Sequence, residues 1–311
     1  MFNLWQTNNT MAIGTGLAAF LAACSIGVSA LPSQSRDPRD ISFDIPSALT
    51  SSKLYGAPAN DFSCKSSRNP VVLLHGLSAD RDVDLNLFQY ELNSRGYCTF
   101  SITYGAHPIP SWIGGLEDMT KSSKQIADFV REVQQKTGAA KVDLVGHSEG
   151  GVQTVYVPLT QDGISDIVEH IVALGPAIHG ATYFGFTDLW YIGGDVTRTL
   201  VGELIDIVGC PACEQLAPDG LVTNQFAAAS KIVQDGNKVT VIMSKSDTLV
   251  PADVSTIDEP GVNNIFIQTT CPDDEVGHAG LAYDKSVWRL IINALEETDE
   301  EVFPCEKGLP F

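Results

Sequence analysis

The stretch LVGHSEGG, residues 144–151, decides how this chain folds. It follows the apolar run 142–145 and leads into the helical pattern 152–159, so Ser148 lies at a turn from strand to helix. Glycine stands two positions away on each side, where a side chain would collide with the neighbouring strand or helix. This is the context of a nucleophile elbow, a tight turn that exposes a serine hydroxyl. The stretch therefore predicts a strand, a turn and a helix, with Ser148 as a candidate nucleophile.

Strand-like and helical patterns alternate along the rest of the chain. This alternation is typical of an α/β fold, a mainly parallel sheet with helices on both faces. The predicted strands are 71–74, 97–104, 142–145, 168–174, 239–243 and 265–269, and the predicted helices are 83–93, 119–136, 152–159 and 282–295.

The segment 180–225 interrupts this alternation, because one helix would be enough to join the strands beside it. It is rich in large apolar residues and contains the amphipathic stretch 200–208. Loops at the carboxyl ends of parallel strands build binding sites, so we expect a small cap over the site. The alternative is an ordinary pair of buried helices.

A serine hydroxyl is a weak nucleophile, so a histidine must take its proton. In the chain order that accompanies the elbow, an acid and then a histidine follow the serine. His278 has the required place, in a loop between the last predicted strand and the last predicted helix. The other five histidines lack this place in the chain. Two lie in the glycine motifs (His75 and His147), one in a proline-rich loop (His107), one in a predicted strand (His170) and one just after that strand (His179).

The acid must lie between these two residues and follow a strand. Asp247 follows the run 239–243 and would accept the Nδ1–H of His278, which fixes the tautomer of the imidazole. The rival carboxylates lie further along the chain, at Asp253, Asp258, Asp273, Asp274 and Glu275.

An oxyanion formed at the reacting carbonyl needs preorganised donors. We expect the backbone N–H groups of Glu149, the residue after the serine, and of Leu77, in the loop after the first strand. The ring of His75 is expected to bond to the backbone of that loop. A carboxylate is favoured at a helix start, so we expect the Glu149 side chain to turn away from the oxyanion and to be solvated or hydrogen-bonded.

Residues 1–30 contain no charged side chain, and the apolar stretch 11–30 ends in the small-residue sequence VSA. This pattern predicts a secretory signal peptide. A retained membrane anchor and a bacterial lipoprotein processing site at Cys24 are the alternatives. Residues 31–45 read as an extended leader or a short propeptide, and 46–311 as one domain with no membrane span in the mature chain.

Apart from Cys24, an even number of cysteines remains, as expected of a disulfide-bonded secreted chain. Sequence alone leaves the pairing open. Chain order suggests Cys64–Cys98, Cys210–Cys213 and Cys271–Cys305, with the second a structural bridge rather than a redox pair.

The formal net charge of −19 argues against a nucleic-acid partner, because phosphates would be repelled. It agrees with a soluble extracellular protein and selects no substrate. The acidic run 296–301 predicts a solvated helix end.

Taken together, the motifs at 71–77 and 146–151 and the Asp247 and His278 loops resemble the α/β-hydrolase fold, and within it the secreted class 2 lipases of bacteria and fungi. The sequence CPACEQLAP at 210–218 is similar to the same family. The resemblance covers residues 50–311. At position 149 many relatives carry Gln or Met where this chain has Glu.

This resemblance implies ester hydrolysis through an acyl-enzyme, with Ser148, Asp247 and His278 as the triad. It implies a lipid or other small ester as substrate, met at a lipid–water interface, and it requires no metal or organic cofactor. The alternatives are an esterase of short-chain, aromatic or polyester substrates, a serine peptidase, and a non-catalytic binding protein on the same fold.

Overall fold

The computed structural model describes residues 60–107, 111, 113–181, 209–298 and 303–310. These residues belong to one compact unit, Ala48–Phe311. The expected signal peptide and leader lie outside the described residues, as does the stretch 182–208 of the expected cap.

The strands form one parallel sheet in the order β2-β1-β3-β4-β5-β6. The order in which the strands are added to the sheet reverses between β1 and β3. In open parallel sheets, such a reversal places the binding site at the carboxyl ends of the strands. The strands are β1 Val71–Leu74, β2 Thr99–Ser101, β3 Val142–His147, β4 Val168–Leu174, β5 Lys238–Met243 and β6 Asn263–Phe266.

Helices cover both faces of this sheet. In β1 alternate residues face opposite ways, so Val72 joins the core beneath one helix layer and Val71 joins the core beneath the other. The helices are α1 Asn86–Ser94, α2 Met119–Thr137, α3 Glu149–Thr160, α4 Ile164–Ile167, α5 Pro211–Gln215, α6 Leu221–Ala228, α7 Ala252–Ser255, α8 Ile267–Thr270 and α9 Lys285–Glu296, with a 3-10 turn at Ala279–Ala282. Helices α2 and α3 pack on the first face, and α1 and α9 pack on the second. This confirms the α/β architecture.

The last predicted strand, 265–269, is displaced. The observed β6 begins earlier, at Asn263, which pairs with Thr240, and residues Ile267–Thr270 turn into the short helix α8. Asparagine is a poor strand former, so pairing with β5 and not intrinsic propensity sets this register. The predicted strand 97–104 is likewise shortened to Thr99–Ser101.

The structure contains three disulfides, Cys64–Cys98, Cys210–Cys213 and Cys271–Cys305. They are the pairs that chain order suggests. The last one ties the C-terminal segment to the residue after α8.

The described part of the expected cap packs as buried helices. Leu216, Val222 and Phe226 join the core beside α2 and α3, and the Phe226 ring meets Tyr156 edge-on. For residues 209–225, the structure therefore agrees with the alternative interpretation, an ordinary pair of buried helices. Whether a cap covers the site depends on residues outside the described ones.

Two glutamates of the acidic run 296–301 form contacts within the protein. Glu296 accepts hydrogen bonds from Arg68 and from the Tyr97 hydroxyl, and Glu297 pairs with Lys238. These contacts fix the end of α9 to the sheet. Within the described ranges, no helix combines the length and apolar character that crossing a bilayer demands.

Candidate active site

The nucleophile elbow is a strained turn between β3 and α3. Ser148 has φ 56° and ψ −119°, a backbone conformation that residues with side chains rarely adopt. A Cβ on Gly146 would lie 2.2 Å from the Gly150 oxygen, and a Cβ on Gly150 would lie 2.2 Å from the Leu74 oxygen. Both positions therefore require glycine, because the backbone itself occupies the space that a side chain would need.

The structure brings Ser148, His278 and Asp247 into one hydrogen-bonded row. The Oγ of Ser148 lies 2.9 Å from Nε2 of His278, and Nδ1 of His278 lies 2.6 Å from Oδ2 of Asp247. All three side chains are buried. Since a carboxylate at Nδ1 requires a proton there, the lone pair of a neutral His278 lies on Nε2 and faces the serine hydroxyl.

Asp247 is itself held in place by the loop after β5. Its Oδ1 accepts the backbone N–H groups of Leu249 and Val250 at 2.9 and 2.8 Å, which leaves Oδ2 for His278. Among the rivals, the buried Asp274 is occupied elsewhere, by the backbone N–H groups of Val276 and Gly308. Asp247 is thus the carboxylate that contacts His278 in the described structure.

The loop after β1 lies directly against the serine. A Cβ on Gly76 would be 3.2 Å from Cβ of Ser148. In the next turn Ser78 has φ 62°, and its N–H donates to the Gly114 oxygen at 2.9 Å. Neither the N–H of Leu77 nor that of Glu149 meets an acceptor among the described residues, so both donors are available to a ligand.

His75 supports this loop as a neutral ring. Its Nδ1–H donates to the Gly76 oxygen at 2.8 Å, and its Nε2 accepts the N–H of Tyr104 at 3.2 Å. The ring also stacks on Tyr104, with 4.2 Å between centroids. Burial lowers the pKa of His75. The role that we expected for this histidine, bonding to the loop backbone, is the one observed.

A second buried pair, Asp84 and His147, was not predicted from the sequence. Oδ2 of Asp84 accepts the Gly76 N–H at 2.6 Å, and both carboxylate oxygens lie 3.0 Å from Nδ1 of His147. Nε2 of His147 lies 3.0 Å from the backbone oxygen of His278. No motif marks Asp84, because it is one of several aspartates in the loop 80–84 before α1.

The expectation for the Glu149 side chain is wrong. It is 1% exposed, and neither carboxyl oxygen has a hydrogen-bond partner of normal geometry among the described residues. Burial raises the pKa of Glu149 well above its usual value, and the nearby Gln153 opposes this only in part. The carboxyl points toward Gly115, where a Cβ would lie 2.3 Å from Oε2. Helix α3 begins inside the molecule, so its first side chain cannot reach water.

A further cluster of possible metal ligands, Asp143, Glu169 and His170, has its donor atoms within 4.8 Å of one another. These atoms already bond within the protein. His170 Nδ1 lies 2.9 Å from Asp143, and the Asn69 amide donates to both carboxylates. Lys238 lies beside Glu169 at 3.1 Å, so the cluster is a satisfied polar network at the amino ends of β3, β4 and β5.

Comparison with known proteins finds a family resemblance in the part of the chain that carries these features. Residues 68–177, which contain the Leu77 loop and the elbow, match the family model "Lipase (class 2)". A triacylglycerol lipase of Pseudarthrobacter phenanthrenivorans and one of Burkholderia plantarii are each 28% identical over 148 residues, or 46% of this chain. The match covers 44% and 39% of these relatives, so the chain spans less than half the length of either.

Solved structures support the same fold. Aspergillus fumigatus lipase B superposes with a TM-score of 0.58 at 18% identity, covering 82% of this chain and 56% of that one. The mature form of the Bacillus licheniformis lipase BlEst2 gives 0.52 at 17% identity, covering 77% and 96%. At such identities the likeness concerns the fold alone. Residues 68–177 are thus similar to the class 2 lipase family, and the chain has the α/β-hydrolase fold.

Proposed function

We propose that the protein is a secreted serine carboxylic-ester hydrolase that acts on acylglycerols. The observation that carries the proposal is the row Ser148–His278–Asp247 beside the two unoccupied N–H groups of Leu77 and Glu149. This is the set of groups that acyl transfer needs: a nucleophile, a base with its orienting carboxylate, and preorganised donors.

In the first half of the reaction, Oγ of Ser148 attacks the ester carbonyl carbon while its proton passes to Nε2 of His278. The carbonyl oxygen becomes an anion held by the N–H groups of Leu77 and Glu149. Collapse of this intermediate breaks the bond to the alkoxy oxygen, which leaves as the alcohol after taking the proton from His278. Asp247 stabilises the imidazolium while it exists.

In the second half, His278 takes a proton from water, and the resulting hydroxide attacks the acyl-serine. The bond between the acyl carbon and Oγ of Ser148 breaks, and the proton returns to that oxygen. The carboxylic acid leaves, and the enzyme is restored. No step needs a group beyond this chain and water.

The acylglycerol substrate is supported by relatives that are named triacylglycerol lipases. Secretion is supported by three disulfides, which persist in oxidising compartments. An ester-hydrolysing role on shorter, aromatic or polyester substrates would use the same residues, so substrate preference needs its own measurement.

The test measures hydrolysis of p-nitrophenyl esters from short to long acyl chains and of an emulsified triacylglycerol, by wild type and by Ser148→Ala. We expect Ser148→Ala to lower turnover of every ester by at least about a thousandfold, because the variant has no nucleophile. Long-chain and emulsified substrates should be turned over at rates that match or exceed those of soluble short esters.

Ser255→Ala is the matched control. Ser255 is fully buried in α7, and its hydroxyl has no partner among the described residues, so its loss should leave turnover unchanged. Unaltered ester hydrolysis by Ser148→Ala would refute the enzyme assignment. Hydrolysis confined to short soluble esters would instead favour the esterase alternative, and faster amide than ester cleavage would favour a peptidase.

A further inference from the structure

His147, the residue before the candidate nucleophile, is held on both sides by acceptors. Its Nδ1 lies 3.0 Å from each oxygen of Asp84, and its Nε2 lies 3.0 Å from the backbone oxygen of His278. A carbonyl oxygen has no hydrogen to give, so the ring must donate at Nε2. At Nδ1 it faces a carboxylate that already accepts the Gly76 N–H. While Asp84 is a carboxylate, which cannot donate, a ring protonated on both nitrogens is the form that satisfies both contacts.

His75 shows what a neutral histidine looks like in the same site. One of its nitrogens donates to a carbonyl oxygen, and the other accepts a backbone N–H from Tyr104. His147 has no such donor facing it among the described residues. Burial opposes a charge on His147, but Asp84 and the bond to His278 outweigh it and raise the pKa of His147. Burial also opposes the charge on Asp84, and His147 overcomes this and keeps the pKa of Asp84 low.

The His147 ring is close enough to affect the proposed base. The centroids of the His147 and His278 rings are 5.0 Å apart. Nε2 of His147 donates to the backbone oxygen of His278, and Asp247 holds the His278 ring from its other side. The carboxylates that act on His147 are Asp84 and Asp247. The other titratable groups lie around Asp84, and they are His75, Asp80 and Tyr283.

We propose that His147 is an imidazolium paired with Asp84 throughout the neutral pH range, and that this ion pair holds the His278 backbone and the Gly76 loop in the positions that the proposed reaction needs. His147 is in this view a positioning residue, because it acts through His278 and touches no substrate. Its hydrogen bond to the His278 backbone fixes where that histidine sits. Through Asp84 the same pair holds Gly76, and with it the loop of Leu77.

The test is a histidine NMR titration of the full secreted chain, with signals assigned from single variants. In wild type, the His147 ring should keep both N–H protons between about pH 6 and pH 8. In His147→Asn the donor to the His278 backbone and the cation beside Asp84 are lost, so kcat for p-nitrophenyl butyrate should fall at least about tenfold while KM changes by less than about twofold.

His170→Asn is the matched control, because His170 also lies between two carboxylates, Asp143 and Glu297, but at the amino ends of the strands, away from His278. It should move neither readout. Asp84→Asn provides a second test if His147→Asn does not fold: without the anion, His147 should lose its proton at a lower pH. Circular dichroism establishes folding of each variant.

A neutral His147 ring in wild type at pH 7 would overturn the proposal, as would an unchanged kcat in folded His147→Asn. Unchanged His147 titration in folded Asp84→Asn would also overturn it. The rate readout rests on the proposed ester hydrolysis, but the NMR titrations do not. A protein without ester turnover would therefore refute the proposed function while the titrations still decide the charge of His147.

Discussion

At position 149 the backbone and the side chain meet different environments. The N–H of Glu149 is free to bond an oxyanion, while its carboxyl is enclosed without a partner of normal geometry among the described residues. A charged carboxylate there would be costly, because burial without a partner penalises the charged form. The raised pKa of Glu149 follows from this burial and keeps the carboxyl protonated over a wider pH range than an exposed glutamate.

Glu149→Gln tests this account at one residue. Near neutral pH we expect ester turnover to be preserved or raised, because the proposed oxyanion donor is the backbone N–H and an amide side chain cannot ionise. A collapse in turnover would mean that the carboxyl has a direct role.

The same variant should also alter stability. The folded pKa of Glu149 is raised, so wild type loses stability as pH rises from the unfolded value through the folded one. Glu149→Gln has no such loss, and its melting temperature should exceed that of wild type by a margin that grows with pH. Thermal melts at acidic and alkaline pH measure this; a margin independent of pH would contradict it.

At the scale of the element, α2 shows how local chemistry fixes the parts around the site. Asp118 caps this helix by accepting the N–H groups of Thr120 and Lys121 at 2.8 and 3.2 Å. The Gln215 amide, at the end of α5, donates to the other oxygen of Asp118 at 2.7 Å and accepts the N–H of Met119. The cap therefore joins two elements as well as ending one.

Asp118→Ala should destabilise the fold by about 1–2 kcal/mol, because it removes the cap and the bond to Gln215. Asp118→Asn keeps one oxygen for the cap but loses the acceptor for the Gln215 amide, so it should cost less than Asp118→Ala but more than nothing. Burial would raise the pKa of Asp118, but its hydrogen bonds lower it, so the loss in Asp118→Ala should shrink as pH falls through that lowered value.

Chemical denaturation followed by circular dichroism gives these free energies of unfolding. Asp128→Ala is the control on the same helix. Asp128 pairs with Lys124 on the exposed face, so its replacement should cost clearly less stability than Asp118→Ala. Equal losses for Asp118→Ala and Asp128→Ala would contradict the cap as the cause.

Some parts of the fold and of the candidate site can be predicted from the sequence, and others cannot. The glycine pattern around Ser148 was decisive because the turn excludes every side chain from Gly146 and Gly150. The end of β6 could not be placed, since its register is set by β5. Asp84 and the enclosure of Glu149 were missed for a related reason: both depend on which loops the sheet brings together, and neither has a local signature.

At the scale of the whole molecule, disulfides connect parts that are distant in sequence. Cys271–Cys305 closes a separation of 34 residues and holds the C-terminal segment, whereas Cys210–Cys213 closes a separation of 3. A crosslink stabilises mainly by restricting the unfolded chain, and the effect grows with loop length.

Replacing both cysteines of the long loop, Cys271→Ser with Cys305→Ser, should lower the free energy of unfolding by about 4 kcal/mol. Cys210→Ser with Cys213→Ser should lower it by about 1.5 kcal/mol. Denaturant titration under identical buffer conditions compares the two double variants. A larger loss from the short loop would show that native packing rather than chain entropy governs these bridges.

The central claim is that Ser148 is the activated nucleophile of an acyl-transfer site. A fluorophosphonate probe, which reacts with activated serine hydroxyls, tests it directly when the modified residue is located by peptide mass spectrometry. We predict one phosphonyl adduct at Ser148 in the folded protein, slower labelling in Asp247→Asn and none in Ser148→Ala. An unlabelled wild type, or an adduct at another serine that persists in Ser148→Ala, would contradict the account.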